Sequence, residues 1–178
     1  MTMQQLLWQG TEKLNRSSVP DAGLDARYLL LEAFGESLAS FLAIKDKTLP
    51  EDEETFLKCR KYEEMIDRRA ERIPLQHLTG VQEFMGFEFY VNEHVLIPRQ
   101  DTETLVELVL QEQKGKDAAL LDVCTGSGCI AISLALMGGF RDVTALDVSR
   151  EALMVAARNA QRLLKEHEGD FNLIESDM

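Results

Sequence analysis

Leu121-Asp122-Val123-Cys124-Thr125-Gly126-Ser127-Gly128-Cys129-Ile130 is the stretch that decides the fold. Residues 119–124 form a continuous apolar run broken only by Asp122. Residues 125–128 are a glycine turn, and residues 129–137 are an apolar segment of helical length, closed by Gly138-Gly139. Strand, tight turn and helix in that order begin a βαβ unit. The alternation continues downstream. Residues 143–146 read as a second strand with Asp147 at its end, Ser149 caps a helix running to about residue 167, and residues 171–174 read as a third strand. Such a succession predicts parallel strands joined by right-handed crossovers.

Upstream the period changes. Residues 80–97 (GVQEFMGFEFYVNEHVLI) alternate and are rich in Phe, Tyr and Val, with turn residues at Gly86 and Asn92-Glu93. They predict one or two hairpins linking two domains. Pro98 closes that segment. Asp101 or Thr102 then caps a helix whose buried face is expected to include Leu105, Leu108 and Val109. The first seventy or so residues read as a small helical bundle. Its expected stripes are Met3, Leu7 and Leu14; Leu24, Tyr28 and Leu31, ended by Gly35; a short helix from Ser37 to Ile44; and Phe56, Cys59, Tyr62, Ile66 and Ala70 on a long helix opened by Thr48 and Pro50 and halted by Pro74. The expected organisation is a helical domain over 1–74, a hairpin linker over 75–98 and an α/β domain over 99–178.

Composition narrows the function. With 45% hydrophobic and 28% charged residues the chain is globular, and no apolar run approaches the roughly 20 residues of a membrane span. The N-terminus has neither a basic leader nor a cleavage site, so a cytoplasmic protein is expected. Cys59, Cys124 and Cys129 form no CxxC pair; they suit a reducing compartment and give no case for a metal site. The formal charge of −12, from 31 acids and 19 bases, repels polyanions. Arg68-Arg69-Ala70-Glu71-Arg72 is the one basic cluster; acids at Glu63, Glu64, Asp67 and Glu71 interrupt it, and it reads as a solvated helix face. Direct nucleic-acid binding is disfavoured.

A glycine turn between strand and helix brings backbone N–H groups and the helix dipole close to a ligand. Two cofactor readings fit. Residues 126–131 match G-x-G-x-x-A, the dinucleotide fingerprint, with Asp147 about twenty residues on. Residues 122–128 also match the D-x-G-x-G-x-G loop of class I methyltransferases, with Cys124 in place of the first glycine. Asp122 separates them. At the carboxyl end of the first strand, its charge would repel a pyrophosphate and attract the sulfonium and ammonium of S-adenosylmethionine. Asp147 suits either cofactor, because both carry a ribose whose vicinal hydroxyls fit a carboxylate.

Three stretches resemble the HemK/PrmC family of release-factor glutamine methyltransferases. Val95-Leu96-Ile97-Pro98-Arg99-Gln100-Asp101-Thr102-Glu103 is similar to the family's L-I-P-R-P-D-T-E junction, departing at Gln100. Residues 121–130 are similar to its cofactor loop. Ala145-Leu146-Asp147-Val148-Ser149, with Ala152-Leu153 and residues 156–160, resembles the strand and helix bearing the ribose acid. Pro74-Leu75-Gln76 and Glu83-Phe84 also fit, so the likeness spans nearly the whole chain. The D-T-E form favours this family over its ribosomal-protein glutamine relative.

The resemblance implies an N-terminal helical bundle for substrate docking, a β-hairpin linker and the first half of a class I (Rossmann-like) methyltransferase domain. It implies S-adenosylmethionine as cofactor and N5-methylation of a release-factor glutamine as the activity. Asp122, Cys124, Thr125, Gly126, Ser127 and Gly128 would surround the methionine part, Asp147 the ribose, and Asp177 and Met178 the adenine. Arg99, Asp101 and Glu103 would border the site mouth. Cys124 stands where glycine is usual; a side chain there narrows the loop, but cysteine is small, so adjustment rather than loss is expected. The family's Asn-Pro-Pro-Tyr motif, which grips the glutamine amide so that its nitrogen lies in line with the methyl group, does not occur; no residue here is expected to be catalytic. With the strand that flanks residues 119–124 in the family also missing, the fragment is expected to self-associate along a bare sheet edge. Competing readings keep the cofactor with another protein or a nucleic acid as substrate, or leave only a cofactor-binding or docking module; a nicotinamide enzyme rests on the glycine match alone.

Overall fold

The computed structural model describes residues 1–113 and 118–177, and forms two compact units, Met1–Thr79 and Gly80–Met178. The first is all helix: α1 (Met3–Arg16), α2 (Ala22–Phe34), α3 (Leu38–Ile44), α4 (Glu53–Ala70) and α5 (Leu75–Thr79). Each start has a local cause. The Thr2 hydroxyl accepts the Gln5 N–H while the Gln5 side chain accepts the Thr2 N–H, a reciprocal cap on α1. Ser37 caps α3 through Ser40 N–H, and Asp52, rather than Thr48 or Pro50, caps α4 through Thr55 N–H at 2.8 Å. Gly35 ends α2 at φ +68°, a left-handed turn that glycine adopts without strain.

The buried face of this unit is Met3, Leu6, Leu14, Ala26, Leu29, Leu30, Phe41, Tyr62 and Ile66. Full burial of a leucine such as Leu29 or Leu30 contributes about 2 kcal/mol. The expected stripe of α2 is corrected: Leu24 and Tyr28 are exposed, and Ala22, Asp25, Ala26, Leu29, Leu30 and Ala33 face inward. The helical period is right but the face is turned, because three alanines allow close helix approach and Asp25 is neutralised by Arg69 at 2.7 Å. That pair also corrects the reading of the basic cluster, since Arg69 is largely buried and donates to the Ile73 carbonyl as well. Phe56, expected inside, is 61% exposed.

Residues 75–79, expected in the linker, are α5, whose Leu75 and Leu78 pack on the first unit's core. The hairpin belongs to the second unit. Its strands β1 (Val81–Phe84) and β2 (Phe87–Tyr90) pair antiparallel across a two-residue turn, with Phe84 and Phe89 fully buried in the second core. Met85 and Gly86 both have positive φ (+53° and +77°), as a type I′ hairpin turn requires. Within residues 80–97 a single hairpin forms; Asn92-Glu93 makes a turn without a strand pair around it.

The remaining elements are α6 (Gln100–Gln113), β3 (Leu120–Val123), α7 (Cys129–Gly138), β4 (Asp142–Asp147), α8 (Arg150–Leu163) and β5 (Asp170–Glu175). The three strands pair in parallel in the order β3-β4-β5. The succession matches the α/β reading, and the fold is a partial methyltransferase-type sheet with α7 and α8 packed on it. The face expected of α6 is corrected. Val106 is buried and Val109 partly so, whereas Leu105 and Leu108 are about half exposed. Leu121 on β3 is also exposed. A helix boundary one residue earlier than the expected cap at Asp101 or Thr102 accompanies this: α6 begins at Gln100, and the Thr102 N–H bonds the Arg99 carbonyl.

Candidate functional site

Parallel pairing brings the ends of β3 and β4 together, with Asp122 opposite Ala145 and Val123 opposite Leu146. The glycine loop leaves β3 there and is pinned to β4 twice. Thr125 N–H donates to the Leu146 carbonyl at 2.8 Å, and Gly126 N–H donates to the Asp147 Oδ2 at 2.9 Å. The other Asp147 oxygen accepts the Ser149 N–H at 2.9 Å. The carboxylate is thereby fixed in orientation, with lone pairs left for a further donor. Ser149 caps α8 through the Ala152 N–H, so Asp147 is not needed as the helix cap.

Within the loop, the Thr125 hydroxyl donates to Asp122 Oδ2 at 2.7 Å and Gly128 N–H donates to the Thr125 carbonyl at 2.9 Å. Thr125 and Ser127 are buried. Cys124 is exposed and sits at φ +61°, a left-handed conformation that a glycine would hold with less strain. Backbone torsion is therefore a physical reason for glycine at this place. Gly128, at φ +79°, is required twice over: a Cβ there would lie 2.9 Å from Ile132 Cδ1 and 3.3 Å from Ala156 Cβ. At Gly126 a Cβ would meet nothing within 4 Å, so the loop faces open space at that residue.

Burial pushes the Asp122 carboxyl above the ordinary carboxylate range, and the negative charge of Asp147 adds to this. The Thr125 hydroxyl and the Ala131 backbone act in the opposite direction. Two carboxylates thus lie close enough to feel each other's charge, an arrangement suited to a ligand that is cationic and carries vicinal hydroxyls. The Cys129 thiol is pushed up to about 11 by burial and is not a nucleophile at neutral pH.

Asp177 is exposed just after β5, and the preceding Ser176 N–H donates to the Asp147 backbone carbonyl at 3.0 Å, which sets this turn beside the end of β4. Met178 lies outside the described residues. The three junction residues direct their bonds elsewhere. Arg99 and Asp101 form an exposed ion pair with each other at 2.8 Å. Glu103 accepts the Met85 N–H at 2.7 Å and so holds the hairpin turn against α6. Asn159 carries no expected role, yet it is fully buried and touches the loop. Its signal in the sequence is an amide on the apolar stripe of α8, in line with Ala152, Val155 and Ala156.

Fold and site together define the cofactor-binding half of a class I methyltransferase-type domain. Residues 5–80 match the family model described as PrmC N-terminal domain, and residues 100–174 match the one described as ribosomal protein L11 methyltransferase (PrmA). The chain is similar to release factor glutamine methyltransferases: it is 39% identical to that of Leptospira interrogans over 97% of its length and 59% of that protein, and 37% identical to that of Deinococcus radiodurans over 99% of its length and 66% of that protein. It spans two thirds or less of the length of the curated relatives it matches here, about three-fifths for these two. Among solved structures, a ribosomal protein L11 methylase from Lactobacillus delbrueckii subsp. bulgaricus aligns with 45% of this chain and 40% of its own, at 29% identity and a TM-score of 0.38. Among the described residues no helix is long and apolar enough to cross a membrane.

Proposed function

We propose that the crevice between Asp122, the 124–128 loop and Asp147 binds S-adenosylmethionine, and that a whole protein of the relatives' length uses it to methylate the N5 of a glutamine in peptide chain release factors. The observation that carries this reading is the pinned Asp147 carboxylate opposite a second acid, Asp122, across an open glycine loop. The cofactor supplies an electrophilic methyl group on a sulfonium. Asp147 would take the ribose hydroxyls, Asp122 would face the cationic methionine end, and the 124–128 backbone would lie along it. Asp177 and Met178 are assigned to the adenine side, and Arg99, Asp101 and Glu103 to the mouth.

The helical unit is assigned to docking the protein substrate. Arg69 and Arg72 are engaged by Asp25 and the Ser17 carbonyl, which with the net charge of −12 favours a protein over a nucleic acid as substrate. The three free thiols fit a cytoplasmic setting. The exposed β3 edge, with Leu121 outward, is assigned to contact with further chain, whether a following segment or a second copy. The test is mass spectrometry of a release factor incubated with S-adenosylmethionine and the whole protein that contains this sequence. One added methyl on a single glutamine is expected, with none from the 178 residues alone; an unmodified release factor, or methylation of another residue type, contradicts the assignment.

A further inference from the structure

The geometry points to Asn159 as a positioning residue that sets the orientation of the glycine loop and couples it to the hairpin. This rests on the cofactor reading above. Asn159 lies on α8 and is fully buried, and its amide is used at three points. Its Nδ2 donates to the Ser127 carbonyl at 2.9 Å and to the Tyr90 carbonyl at 3.0 Å, while its Oδ1 accepts the Tyr90 N–H at 2.7 Å. The amide therefore takes both backbone polar groups of the last residue of β2, as a neighbouring strand would, and spends its remaining hydrogen on the loop. The preceding residue on α8 holds the same tyrosine differently: the Arg158 guanidinium sits 3.5 Å above the Tyr90 ring.

The bond to Ser127 matters because of what the loop lacks. Leu146 and Asp147 fix Thr125 and Gly126 from the β4 side, but neither reaches the peptide that joins Ser127 to Gly128. That peptide adjoins a left-handed glycine, where the backbone can rotate at little cost. A buried donor on the Ser127 carbonyl selects one orientation of the plane. It thereby aims the Gly128 N–H at the Thr125 carbonyl and closes the turn. Asn159 meets the loop at the Ser127 carbonyl, so it acts through Ser127. Losing its donors frees the loop and leaves the Ser127 and Tyr90 carbonyls buried and unpaired.

The experiment is calorimetric titration of S-adenosylhomocysteine, with a melting curve for each protein, on the wild-type chain, Asn159→Asp, Asn159→Ser and Val155→Ala. Asn159→Asp keeps the acceptor for the Tyr90 N–H but loses both donors. Val155 is a buried residue of the same helix, away from the loop, and controls for loss of packing. Expected is a dissociation constant about tenfold or more higher for both Asn159 variants, and within about twofold of wild type for Val155→Ala even where its melting temperature falls as far. Folded Asn159 variants that bind as tightly as wild type overturn the proposal and leave the cofactor reading intact. A wild-type chain that does not bind overturns the cofactor reading and the proposal with it. Amide hydrogen exchange on the wild type needs no variant: exchange at the Tyr90 N–H should slow when the ligand saturates the loop, and unchanged exchange there counts against the coupling.

Discussion

Asp147, at the end of β4, accepts the Gly126 N–H of the loop that leaves β3, at 2.9 Å, and so one carboxylate closes the loop and, in the function proposed above, also takes the ribose. The two roles make Asp147→Ala doubly costly. The substitution leaves the Gly126 and Ser149 N–H groups without their partner, and about 2 kcal/mol of stability is expected to be lost in urea denaturation. Affinity for S-adenosylhomocysteine should fall by about tenfold or more, and an unchanged dissociation constant removes Asp147 from the site.

Asp122 is expected to trade stability for binding. Burial raises its folded-state pKa above that of the unfolded chain, so the ionised form destabilises the fold at neutral pH. That penalty is fully present above the raised pKa and is relieved as pH falls through it. Asp122→Asn should therefore melt higher than wild type at pH 7, with the gap closing on acidification, while binding the cationic cofactor more weakly. A variant that melts lower at pH 7, or a gap that widens in acid, contradicts this.

Two glycines in the helical unit should respond oppositely to alanine. A Cβ on Gly10 would overlap the Tyr62 hydroxyl, which donates to the Leu6 carbonyl in the core. Gly10→Ala should cost about 1–3 kcal/mol. At Gly23 the nearest atom is 3.8 Å away and the site is exposed in α2, so Gly23→Ala should add up to about 1 kcal/mol. Chemical denaturation of the two variants reads both signs.

The Asp25–Arg69 pair, with both side chains largely buried, should behave as an ion pair that is costly to halve. Asp25→Ala leaves a buried guanidinium and should cost about 3–5 kcal/mol; pairing it with Arg69→Met should recover much of that loss. A double variant no more stable than the single one argues against this account.

The sequence displayed the α/β half well and the helical half only by its period. Strand, glycine turn and helix leave a composition signal at every step, and Asp122 and Asp147 stand at strand ends where spacing alone finds them. In α2 the period was legible but not the face. Leu24 and Tyr28 are the larger residues, yet burial follows Ala22, Ala26 and Ala33, because close helix packing rewards small side chains and a charge partner from α4 brings Asp25 inside. Leu105 and Leu108 read as core for the same reason of size and are exposed. Glu103 was legible but its partner was not, and Asn159 was hidden altogether, because the groups they bond, on Met85 and Tyr90, are backbone groups far away in sequence. Cys124 could be seen as a departure from glycine, but its cost in φ needed the structure.

The central claim is that the crevice is shaped for an adenosyl sulfonium rather than a dinucleotide. Calorimetric titration of the chain with S-adenosylhomocysteine and, separately, with NAD tests it most directly. The account expects saturable one-to-one binding of S-adenosylhomocysteine and no measurable heat with NAD. Tight binding of NAD with no response to S-adenosylhomocysteine would contradict it.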